Sequence, residues 1–170
     1  MAKMCLEFKF VRVGTMFVND AYGSGYANDF ATAGAQYDID VIVSAKYTSG
    51  TKASIRSAVK SLSDAGVRVI ILIAFNKDLQ AILDAAQEFE LVQKEGVSWI
   101  TADAIADPEG FAASAANPAQ VRDQLAGWLS VFARPLSGES RTAFEAEGAA
   151  YRALNSSNVY GTPHSKISVG

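Results

Sequence analysis

The chain is 170 residues long, 49% hydrophobic and 19% charged, with a formal net charge of −3. That size and balance fit one folded domain able to bury a core, and they exclude a disordered polymer. The mild negative charge and the absence of any Lys/Arg run exclude a nucleic-acid or anionic-membrane surface.

The N-terminus, MAKMCLEFKF, has neither an apolar h-region nor a small-residue cleavage site and does not read as a signal peptide. The single cysteine, Cys5, forbids an internal disulfide and has no local partner that would make it a nucleophile. From Lys9 to Asp103 the periodicity alternates. Phe10 to Val18 is rich in β-branched and aromatic residues and predicts a strand. Tyr26, Phe30 and Ala33 then recur at helical spacing. Ile39 to Ala45 alternates as a second strand, and Thr51 to Ala65 carries Ile55, Val59 and Leu62 on one helical face. Gly66 stands where a left-handed residue would end that helix. Residues 67–74 are apolar except for Arg68, as expected of a strand covered on both faces at the centre of a parallel sheet. Its apolar continuation, Val69 to Phe75, is far shorter than the roughly 20 residues of a membrane helix. Asp78 to Glu90 predicts a third helix and Val97 to Thr101 a fourth strand.

Strand–helix order with short links implies a doubly wound α/β fold, a parallel sheet with helices on both faces. Its core is expected over residues 1–105. The remainder, 106–170, is expected as a loop (106–120), helices over 120–132 and 140–154, and a tail, all packing on the same lobe.

The stretch VNDAYGSGYAND, residues 18–29, raises the question of phosphate binding. A dinucleotide loop needs Gly-x-Gly-x-x-Gly so that the backbone approaches the pyrophosphate and the helix packs on its strand. Gly23 and Gly25 supply part of it, but Asn28 occupies the third position and Lys46 stands where an acid would end the second strand. No Walker-type stretch occurs, so nucleotide binding is not favoured and no cofactor is expected.

Ligands of open parallel sheets sit outside the carboxyl ends of the strands. The loops there, 19–25, 47–50, 75–77 and 102–107, offer Tyr22 and Phe75 as apolar walls, Ser24, Thr48 and Ser49 as neutral partners, and Asp20 and Asp103 as charges. An aromatic face beside a carboxylate suits an ammonium group. The alternative is that the rings pack the loops and both acids are solvated turn or cap residues.

At these same residues the sequence resembles the type I periplasmic-binding-protein-like domains. These include branched-chain amino-acid-binding proteins and the ligand-binding regions of class C and natriuretic-peptide-type receptors. The matching pieces are Arg12-Val13, Asn19 to Gly25, Ala65 to Ile71, Leu83 to Ala86 and Trp99 to Asp103, in order, over roughly residues 8–105. The resemblance implies a lobe of a two-lobed ligand trap, similar to the second lobe only. It implies that Tyr22 and Asp103 face a ligand's amino group and that Phe75 lines the cleft; Ser24 and Asp20 complete the candidate set. The first lobe, which supplies contacts to a ligand carboxylate, is missing, and Ala104 stands where class C receptors carry glycine.

The expected function is therefore a non-catalytic, amino-acid-like ligand-binding lobe of a receptor or solute-binding protein. By resemblance it lies on the extracellular or periplasmic side of a membrane. The alternative is a structural or interaction module with a vestigial pocket. The expected partners are a small-molecule ligand shared with the first lobe and, for the chain itself, a homo-oligomer or a larger assembly. An enzyme is not expected. His164 stands alone in the tail, Glu145 and Glu147 point to different helix faces, and no Gly-x-Ser-x-Gly elbow or Cys/His cluster with metal-ligand spacing occurs.

Overall fold

The computed structural model describes residues 1–103, 105, 107–131 and 138–154. Its elements run α1 (Ala2–Glu7), β1 (Arg12–Val18), α2 (Ala21–Ala35), β2 (Asp40–Tyr47), α3 (Lys52–Asp64) and β3 (Val69–Ile73). They continue with α4 (Asn76–Glu88), β4 (Ser98–Thr101), α5 (Pro108–Ser114), α6 (Pro118–Leu125), β5 (Leu129–Ser130) and α7 (Gly138–Leu154). The strands form one sheet in the order β2-β1-β3-β4-β5, and each pairing is parallel. The chain adopts the α/β class that its alternating periodicity predicts.

Because successive side chains of a strand point to opposite faces, the core divides into two layers. On one face Met16, Val18, Tyr47, Ile70, Leu72 and Trp99 meet Ile55, Val59 and Leu62 of α3 and Leu79, Ile82 and Leu83 of α4. On the other, Val13, Ile71, Ile73 and Ile100 meet Ala2 and Cys5 of α1 and Ala27 and Phe30 of α2. Covered on both sides, β3 is buried at every residue, and so it can be apolar throughout. The end of α3 follows its sequence cue. Gly66 adopts φ +65, its N–H donates to Ser63 O at 2.9 Å, and Val67 N–H donates to Leu62 O at 3.2 Å. These are the paired bonds of a Schellman motif.

The structure corrects the reading of the ends. Residues 2–7 form α1, whose six residues are too few to display a period. The segment expected as a loop over 106–120 contains α5 and the start of α6. Each of these helices is opened by a capping side chain followed by proline, Asp107-Pro108 and Asn117-Pro118, with the caps accepting from Gly110 N at 2.8 Å and Gln120 N at 3.3 Å. The helix expected over 120–132 stops at Leu125, where Gly127 takes φ +82 and the chain turns into β5. Trp128 therefore lies in the turn, not on a helix, and it stacks on Trp99 with centroids 4.7 Å apart and planes 7° apart.

Contacts group Met1–Ala133 into one unit and Arg134–Gly170 into another. The second is described by α7, which contains the helix expected over 140–154. Its described side chains at 139 and 141–147 are exposed, and Arg141 Nε donates to Glu145 Oε1 at 2.8 Å across one turn. Ala104, His164 and the tail from residue 155 lie outside the described residues.

Candidate functional site

The sheet order brings the carboxyl ends of β1, β3 and β4 side by side, and each end leads directly into a residue singled out from sequence. Tyr22 is the second residue of α2, Phe75 is the residue preceding α4, and Asp103 follows β4 closely. Their side chains meet. The Tyr22 hydroxyl donates to Asp103 Oδ1 at 2.9 Å. The Tyr22 ring stacks on Phe75 with centroids 5.4 Å apart and planes 25° apart. Tyr22 is thus the joint between the aromatic wall and the acid. Residues 81 positions apart in the chain share one hydrogen bond, which requires β1 and β4 to flank β3 in register.

Tyr26 and Lys77 also belong to this cluster, and neither was singled out as a site residue from sequence. Tyr26 lies one turn beyond Tyr22 on α2 and meets it edge-on at 6.0 Å and 64°. Burial, and then the nearby charge of Asp103, pushes its phenol above the usual tyrosine range. The Lys77 ammonium lies over the Phe75 ring, 5.7 Å from its centroid. The Tyr22–Tyr26 spacing of four residues on a helix was a usable signal, whereas the fold of Lys77 back onto Phe75 carries none in sequence.

Asp20 and Ser24 stand apart from these contacts. Asp20 caps α2, its Oδ1 accepting from Gly23 N–H at 2.7 Å. Ser24 donates its backbone N–H to Asp20 O at 3.0 Å, and its half-buried side chain enters none of the contacts above. The question raised by the two glycines is answered here. A Cβ at position 23 would lie 1.9 Å from Val18 O, so Gly23 allows α2 to seat on the end of β1. Its N–H, moreover, already faces a carboxylate. Where a dinucleotide loop would receive a phosphate, this chain has an aspartate of its own.

A second polar cluster holds the neighbouring loop. Asp78, in the first turn of α4 and only 2% exposed, accepts from Ser49 Oγ at 2.6 Å, Gly50 N at 2.8 Å and Tyr47 Oη at 3.3 Å. Burial, followed by the charge of Asp78, raises the Tyr47 phenol far above its ordinary range. Sequence placed Ser49 at the strand ends as a neutral partner; its hydroxyl is spent on Asp78, which ties the β2–α3 loop to α4. Among the described residues no group of three or more His, Cys, Asp or Glu side chains is arranged to hold a metal ion. A separate groove of about 410 Å³ runs beside α4, with Gln80, Asp84, Phe111 and Asn117 in its lining. It shares no residue with the Tyr22–Asp103 cluster.

Comparison with protein families matches residues 1–162 to the receptor family ligand binding region. The chain belongs to that family. A search of curated proteins finds no match. The match spans nearly the whole chain and agrees with the parallel α/β sheet, so the receptor family accounts for this architecture as one ligand-binding lobe. Among the described residues no helix is long and apolar enough to cross a membrane.

Proposed function

We propose that this lobe binds a small, amino-acid-like molecule through its ammonium group, without catalysis, at the ends of β1, β3 and β4. The observation that carries this reading is Tyr22 joined at once to Asp103 and to Phe75. A carboxylate with a phenol beside it and a stacked ring pair below gives an ammonium both an ion-pair partner and aromatic faces. Receptor-family membership supports a binding role, and among the described residues no group of three or more His, Cys, Asp or Glu side chains is arranged to hold a metal ion.

The affinity follows from exposure. Asp103 is exposed, and an exposed ion pair contributes about 0–1 kcal/mol. A cation–π contact at such a site adds about 0.5–1 kcal/mol. A lone lobe therefore binds at millimolar concentration or weaker, about −4 kcal/mol at most, and the rest of the affinity belongs to a first lobe closing over the ligand. In this proposal the region faces the outside of a membrane, as part of a larger receptor assembly.

The test is a titration of the 15N-labelled chain with L-leucine and 5-amino-1-pentanol, following the amide signals of Tyr22, Phe75 and Asp103. Millimolar saturation at these residues is expected, weakened about two- to fivefold by Asp103→Asn. Micromolar affinity would contradict the half-site, and no shift at any of these residues would sink the ammonium reading.

A second reading, an interaction module on the same fold, is favoured by one feature. Leu6, Phe8 and Val11 are 45%, 53% and 54% exposed at the end of α1 and the approach to β1. If light scattering shows self-association that Leu6→Ser with Phe8→Ser abolishes, while the titration stays blank, this reading replaces the first.

A further inference from the structure

Lys77 has no evident structural reason to stand where it does. It is the second residue of α4, at the positive end of the helix dipole, where a cation is unfavourable. Its side chain is exposed, and among the described residues it forms no ion pair. What it does touch is the site: its ammonium lies 5.7 Å from the centroid of Phe75, whose ring stacks on Tyr22 at 5.4 Å. Tyr22 in turn donates to Asp103 at 2.9 Å. The aromatic pair thus carries a positive charge on the Phe75 side and a negative charge on the Tyr22 side.

Resting on the ammonium reading above, we infer that Lys77 sets the specificity of the site by selecting amines that carry a second, anionic group and by disfavouring plain amines. The ligand ammonium goes to Asp103 and the face of Tyr22. The Phe75 ring already serves a cation, so a second one there meets like charge. A carboxylate or other anion on the same ligand meets opposite charge instead. Attraction toward one class and repulsion toward the other act through the same ammonium.

The experiment compares 5-aminopentanoate with 5-amino-1-pentanol, which differ in the charge of the far end, by titration of the 15N-labelled full chain. Wild type is expected to bind 5-aminopentanoate about two- to fivefold more tightly, the range of an exposed ion pair. Lys77→Met keeps the alkyl stem over Phe75 and should bring the ratio to about one, weakening the amino acid and strengthening the amino alcohol; Lys77→Arg should restore the preference. A ratio unchanged in Lys77→Met overturns the role of Lys77. Amino-alcohol binding in wild type with no preference for 5-aminopentanoate overturns it too, while leaving the ammonium site standing. If neither compound shifts Tyr22 or Asp103 in the wild-type chain, both readings fall together.

Discussion

Two glycines two positions apart in VNDAYGSGYAND meet opposite demands. Gly23 is pressed against the carbonyl of Val18, and a methyl group there would lie 1.9 Å from that oxygen, whereas Gly25 has nothing within 4 Å of the same addition. Gly23→Ala is therefore expected to lower stability by about 1–3 kcal/mol through overpacking. Gly25→Ala should raise it by roughly 0.5–1 kcal/mol by restricting the unfolded chain and favouring the helix. Urea denaturation of the two variants checks both signs. Tyr22 makes a second residue-scale prediction. Its hydroxyl occupies Asp103 Oδ1 at 2.9 Å, so an incoming ammonium competes with it for the carboxylate. Tyr22→Phe keeps a ring over Phe75 and removes that competitor, and it should tighten 5-amino-1-pentanol about two- to fivefold in the same titration. Weaker binding would mean that the phenol itself contacts the ligand.

At the scale of elements, the β2–α3 loop and the start of α4 are one construction joined by Asp78, whose carboxylate receives Ser49, Gly50 and Tyr47. Removing a buried acceptor strands its donors. Asp78→Ala should cost about 2–4 kcal/mol, and amide exchange should accelerate at Gly50 and along the first turn of α4 before the rest of the sheet. Most of this architecture was legible as far as Thr101 because long elements with a buried face carry a period. The strand ends that gather Tyr22, Phe75 and Asp103 followed from topology alone. α1 was not legible, since its buried face consists only of Ala2 and Cys5. Nor was β5, two residues whose place depends on pairing with β4 and on Trp128 stacking against Trp99. The starts of α5 and α6 were written in Asp107-Pro108 and Asn117-Pro118, but short helices with few apolar anchors read as loop. Tyr26 was within reach of the helical spacing from Tyr22, whereas Lys77 and Asp78 became visible as partners only once side-chain directions were fixed in space.

For the molecule as a whole, stability rests on two apolar layers pressed onto one sheet, and a tyrosine inside one of them makes that stability sensitive to alkali. Tyr47 is 1% exposed and its phenol is raised by burial and by Asp78. A group whose folded pKa is raised contributes fully below its unfolded value and loses that contribution as pH rises. The unfolded chain releases the Tyr47 proton near the ordinary tyrosine value of about 10, while the folded chain holds it. Stability is thus expected to fall above pH about 10 by up to about 1.4 kcal/mol per pH unit from this residue. Urea midpoints measured from pH 8 to 11.5 should show the fall, and Tyr47→Phe should make it shallower.

The sheet order has a consequence for how the chain is made. β1 is followed by β2 on one side, and then β3, β4 and β5 join in turn on the other. Each strand leaving a ribosome thus meets an open border, and none has to be threaded between neighbours already paired. Synthesis can lay the sheet down in the order of translation, completing the aromatic wall with β3 and adding its acid only when β4 arrives.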